Sequence, residues 1–214
     1  MLLIVEGRCH SRRVGAAYAF SAPTNGVDVQ DVGSKNYINY LVGHPIMPTG
    51  LKPTSSLIMI SSSVTESAPG VFTSNKVDLQ LNPLDNEVFV VQAIDIDTKV
   101  PELIPATRTE SKLSVSSTER TSVGSLANSN VMAQVQIVTQ EGAGGAVTNT
   151  KVAGETPMAA LDYVFILATN DFFLNTQGVN NLATTGGSAR LYGYRAKADS
   201  ATYAALVQSE ILSA

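Results

Sequence analysis

The feature that most constrains this chain is the period of its apolar residues, which is two over most of residues 57–198 and becomes helical only from Asp199 onward. In a strand, residues i and i+2 share a face, whereas a helix repeats every 3.6 residues. Val77-Asp78-Leu79-Gln80-Leu81 and Leu113-Ser114-Val115-Ser116 alternate apolar and polar residues. Ala133 to Thr139 puts Ala, Val, Ile and Thr on one face and Gln on the other. One buried and one wet face is the pattern of an antiparallel sheet. Glu87 to Asp97 (EVFVVQAIDID) reads as a strand from its β-branched and aromatic content. Leu57-Ile58-Met59-Ile60 runs into a serine stretch that ends near Pro69-Gly70. Leu161 to Thr169 is expected to be the most apolar strand, followed by Phe172-Phe173-Leu174. Arg190 to Ala198 is expected to be the last, with Leu191, Gly193 and Arg195 on one face and Tyr192 and Tyr194 on the other.

Turn chemistry separates these runs. Gly33, Gly43, Pro45, Pro48, Gly50 and Pro53 exclude a long helix between residues 27 and 55. The glycine-rich Glu141 to Thr150 and the Gly/Asn/Thr stretch Asn180 to Ser188 are expected to be loops. Roughly eight to ten short strands with turns between them favour an all-β fold, an antiparallel β-sandwich or single jelly roll. No fixed-period repeat argues for a propeller or solenoid. The expected division is an extended N-terminal arm over 1–26, the β-domain over 27–198 and a short C-terminal α-helix over 199–214. Asp199 or Ser200 can cap that helix. Tyr203, Leu206, Val207 and Ile211 fall on one stripe, with Glu210 facing elsewhere. The stripe is expected to dock on the sheet or on a neighbouring subunit.

Charged residues make up 15% of the 214 residues, against roughly 25% in an ordinary soluble protein. Ser, Thr, Asn, Gly and Ala fill the gap. A polar, weakly charged surface loses little when many copies pack side by side. The net charge of −4 argues against a dedicated nucleic-acid binder. Arg8, Arg12 and Arg13 form the one basic cluster, a candidate for arm contacts with a genome, a membrane or a neighbour. Three arginines are too few for strong phosphate binding at physiological salt. The apolar run Met1 to Val5 is too short for a signal-peptide core, and no stretch approaches the length of a membrane span. The expectation is a soluble chain without a readable targeting address.

Catalytic chemistry finds little to work with. The single cysteine, Cys9, excludes an intrachain disulfide, and its neighbour His10 does not make a dyad by adjacency alone. His10 and His44 have no second ligand at zinc spacing. Gly142-Ala143-Gly144-Gly145 lacks the lysine of a phosphate loop and the setting of a dinucleotide fingerprint, and Gly186-Gly187-Ser188 is not a nucleophile elbow. Asp95 and Asp97 are the best metal candidates, because i and i+2 share a face, but no loop gathers the further oxygens that calcium takes. The chain is read as a non-enzyme without cofactor or metal. The absence of Trp weakens a carbohydrate-binding reading, for which Tyr37, Tyr40, Tyr192 and Tyr194 could still serve.

An extended arm, period-two strands joined by Ser/Thr/Asn/Gly loops, few charges, and the closing segments LDYVFILATNDFFL and RLYGYRAKADSATYAALVQSEIL together resemble viral jelly-roll capsid proteins. The resemblance covers most of the chain and rests on its overall pattern rather than a diagnostic motif. It implies a virion subunit, assembled in the host cytoplasm into an icosahedral shell of many copies, with other virion proteins as partners. The weak basicity implies little or no direct genome binding and a shell built over an internal membrane or inner layer. The alternative is a non-catalytic β-sandwich binding module on a cell surface, fibre or phage tail, which clustered exposed tyrosines would favour.

Overall fold

A computed structural model describes residues 48–142, 145–153 and 161–213. The expected arm, with Arg8, Arg12 and Arg13, lies outside the described residues, as do residues 27–47 of the expected β-domain. Ten strands and one α-helix follow in chain order among the described residues: β1 (Leu51–Pro53), β2 (Ile58–Thr65), β3 (Thr73–Asp78), β4 (Glu87–Thr98), β5 (Arg108–Ser116), β6 (Val131–Glu141), β7 (Val147–Ala153), β8 (Phe165–Leu167), β9 (Asp171–Val179), β10 (Gly186–Ala198) and α1 (Ser200–Leu212).

The pairing is nested. β5 pairs with β6, β4 with β8, β3 with β9 and β2 with β10, every pair antiparallel. This is a two-stranded ribbon turned back at the β5–β6 end. Wrapping the ribbon brings β10 beside β4 and β9 beside β5. The result is two antiparallel sheets, β2-β10-β4-β8 with β1 also on β10, and β3-β9-β5-β6-β7. The chain is an all-β sandwich with one C-terminal helix.

Between the sheets, Phe89, Val91, Ile94, Leu167 and Leu191 meet Leu113, Val115, Val135, Phe172 and Leu174 in one core. Each such burial contributes about 1.5–3 kcal/mol. The polar inner pair Thr98 and Ser111 is satisfied by a mutual hydroxyl bond of 2.8 Å.

β4 does not alternate strictly, and the register explains why. Gly193 faces Val91 and Tyr192 faces Ala93, so Gln92 is an extra residue. A bulge of this kind switches which residues face inward. Phe89 and Val91 point to the core before it, Ile94 and Ile96 after it. Opposite the bulge, a Cβ on Gly193 would run into the Val90 carbonyl and the Phe89 ring.

Several expected boundaries move. Leu161 to Thr169 contributes only Phe165–Leu167 to a ladder. Phe165 faces Val91, and the next position would face the bulged Gln92, so the ladder stops there. The expected loop 141–150 gives way to β7 at Val147, where Val147-Thr148-Asn149-Thr150, three of its four residues β-branched, pairs with β6. β10 starts at Gly186 rather than Arg190, inside the expected loop. A Cβ on Gly187 would meet the Asp97 carbonyl and Leu113, so glycine lets the β4 backbone close on it. β3 ends at Asp78, and Leu79 and Leu81 are buried beyond it. β5 begins five residues before the alternating Leu113-Ser114-Val115-Ser116, because Arg108, Glu110 and Lys112 share its outer face and pair their charges.

Candidate functional surfaces

The C-terminal helix forms where expected. Asp199 is its N-cap, accepting the Thr202 backbone N–H at 2.8 Å, which holds its carboxyl below the usual carboxylate range. α1 lies against the outer face of the first sheet. Tyr203, Leu206 and Val207 pack on Val88, Val90, Tyr194, Ala196 and Ala198. The tyrosine on β10 is thereby covered, and burial pushes the Tyr194 phenol up, with Asp162 adding to it.

The expected fourth member of the stripe is replaced. Ile211 is 65% exposed, and Glu210, expected to face elsewhere, is the buried residue of α1. Positions 203, 206, 207 and 210 form the i, i+3, i+4, i+7 stripe, so the carboxylate holds the fourth place. It accepts the backbone N–H groups of Ala168 at 3.3 Å and Thr169 at 2.8 Å, at the end of β8. Its Oε1 has no hydrogen-bond partner. Burial raises the Glu210 carboxyl above the usual range against the effect of those bonds, and Asp171 raises it further. Along one flank of the helix, Tyr203, Ala204, Val207, Gln208, Ile211 and Leu212 line a shallow, largely apolar depression of about 450 Å³.

The upper half of the same sheet face is polar. Ser61, Arg190 and Asp95 stand in one cross-strand row, and Ser63, Ser188 and Asp97 in the next. They line a groove of about 410 Å³. The Tyr192 hydroxyl donates to Asp95 at 3.1 Å and accepts from Arg190 at 3.4 Å. Asp95 and Asp97 share a face, as their spacing requires, but among the described residues no group of three metal-ligating side chains forms. Met59, 56% exposed, stands across from Tyr192 at the groove's end. The tyrosines do not cluster there among the described residues, since Tyr194 is beneath the helix and Tyr37 and Tyr40 lie outside them.

The outer face of the second sheet carries Ser114, Ser116 and Asn175, all buried. Part of its cover is the segment after β5, where the Gly124 N–H donates to the Ser114 hydroxyl at 3.2 Å. Arg120 braces that segment by donating to Asn130 at 2.8 Å. Nearby, Glu110 takes Arg108 and Lys112 at 2.8 Å each, and Lys112 above all holds its carboxyl below the usual range. Cys9, His10 and His44 lie outside the described residues. Among the described residues no helix is long and apolar enough to cross a membrane.

Sequence reasoning missed Glu210 and the Arg190–Tyr192–Asp95 chain. The first left a signal, since position 210 completes the helical stripe. The second needed the β10–β4 register. No protein-family model matches this chain, and no curated protein matches it either.

Proposed function

We propose that this chain is a coat subunit, a single jelly roll that self-assembles with many copies of itself into an icosahedral virion shell. The observation that carries the reading is the nested pairing β2–β10, β3–β9, β4–β8 and β5–β6, wrapped into two facing sheets. We read that connectivity as a jelly roll, a scheme that coat proteins share with lectins and cupins. The cupin branch needs a clustered set of histidine and carboxylate ligands, and the sequence holds only two histidines, His10 and His44. A charged fraction of 15% and the exposed apolar side of α1 around Ile211 and Leu212 suit close packing of like subunits. Each contact can be modest, because closed symmetry sums it over the shell. The protein would reside in the virion, with other virion proteins as neighbours and an internal membrane or inner layer beneath. Genome contact would be weak, with Arg8, Arg12 and Arg13 as the arm's contacts to genome, membrane or neighbour. Electron microscopy of concentrated purified protein tests this: closed particles are expected, and a single monomeric species overturns it.

The second reading is a non-catalytic binding module on a cell surface, fibre or phage tail. The groove between Ser61, Ser63, Asp95, Asp97, Ser188 and Arg190 favours it. Retention of the monomer on a glycan or protein array, lost in Asp97→Ala, supports it; no retention overturns it.

A further inference from the structure

β7 stands outside the nested ribbon. It forms the edge of the second sheet beyond β6, with pairs running from Glu141–Val147 to Val135–Ala153. Its residues Val147 through Val152 are all exposed, so neither face of the strand meets the core. Val147 and Val152, 48% and 58% exposed, point to opposite faces. An edge strand that buries none of its own side chains gains little from the sheet beyond its ladder with β6. Among the described residues no strand pairs with its outer edge, and an edge of this length is a template for another strand.

The other edges are blunted. β8 is only three residues long. Asn75 of β3 donates to the Ser63 carbonyl of β2 at 3.0 Å, so these two edges close on each other. β3 also carries Lys76, ion-paired with Asp171, and Asp78. β7, with the sequence VTNTKVA, has one charge and no proline.

We propose that β7 pairs edge to edge and antiparallel with β7 of a second copy of this chain, across a two-fold axis, making the two second sheets continuous. This names one contact of the assembly proposed above and rests on that reading for its occupant. The strand's chemistry is self-complementary. With the axis at Asn149 or Thr150, the one charged side chain, Lys151, faces Val147 or Asn149 of the other copy, never Lys151. The same registers set threonines 148 and 150 against each other or 150 against itself, and such cross-strand threonine pairs are favourable.

Single cysteines at Thr148, Asn149, Thr150, Lys151 and Val152, introduced in a Cys9→Ser background, test this under mild oxidation. Circular dichroism confirms that each variant folds. Two copies related by a two-fold bring a residue next to itself only near the axis. Two positions along, the two cysteines are roughly 14 Å apart, beyond disulfide reach. The expected result is disulfide-linked dimer peaking at Asn149→Cys or Thr150→Cys and at least about tenfold lower at Val152→Cys. Uniform cross-linking, or none, overturns the proposal. Microscopy of the same samples separates the two readings. Particles without a cross-linking peak keep the shell and sink the β7 contact; a peak without particles does the reverse; neither sinks both.

Discussion

The carboxylate of Glu210, in the last turn of α1, accepts the backbone N–H of Thr169 at 2.8 Å, tying the C-terminal helix to the chain leaving β8. Those N–H groups belong to the segment where β8 gives out after three residues, so the ladder offers them no carbonyl. An apolar side chain at 210 would bury more surface but leave them unpaired. A carboxylate satisfies both donors, against the burial that raises its proton affinity.

Glu210 therefore makes helix docking pH-dependent. With the folded value raised, its contribution is full below the ordinary carboxylate range. It falls as pH rises through the folded value. Protonation at the unpartnered Oε1 leaves Oε2 free to accept both N–H groups. Glu210→Gln should flatten this slope between acid and neutral pH. Glu210→Ala should cost about 1–3 kcal/mol at acid pH by orphaning the donors, and less above the folded value. Urea midpoints across the pH range check both, and a wild-type stability that rises with pH relative to Glu210→Gln refutes the sign.

Glu110 works in the opposite sense. Its carboxyl is held below the usual range by Lys112 first and Arg108 after it. Its contribution is present at neutral pH and lost as pH falls through the folded value. Glu110→Gln should cost about 0.5–1 kcal/mol at neutral pH and nothing in strong acid. The measurement is the difference in urea midpoint between the two proteins at the two ends of that range.

At the β4 bulge the backbone leaves no room for a methyl group on Gly193. Gly193→Ala should destabilise the sandwich by about 1–3 kcal/mol through displacement of the Phe89 ring and the Val90 carbonyl. A denaturant midpoint unchanged within error would show that the bulge can open.

Where one side of a strand meets the core and the other meets water, the strand is legible from its residues, as Ala133 to Thr139 shows. Legibility fails where a neighbour decides. Leu161 to Val164 is apolar enough for a strand, yet the bulge at Gln92 denies it a ladder. Val147 to Thr150 looks like the end of a glycine-rich loop until β6 stands beside it. The polar groove was half legible: i and i+2 put Asp95 beside Asp97, but only the β10 register adds Arg190 and Ser188. Glu210 was readable in principle from its place in the stripe. A charge at a core position reads as an error until the unpaired N–H groups across from it are known.

The exposed end of α1 around Ile211 and Leu212 offers the most direct test of the helix as an assembly contact. Ile211 and Leu212 are 65% and 78% exposed, and among the described residues Tyr203, Leu206 and Val207 are the apolar helix residues packed against the sheet. Replacing both exposed residues with Asp removes apolar surface from the depression beside them without touching that docked stripe. Because such surface changes lie within about 0.5 kcal/mol, thermal melts should match the wild type, with at most a small further loss from adding negative charge near the carbonyl end of the helix. If this side of the helix meets a neighbouring subunit, the double variant should lose most of its sedimenting particles while keeping the circular dichroism of the folded domain. An undiminished particle peak in the ultracentrifuge would place the subunit contacts elsewhere on the sandwich.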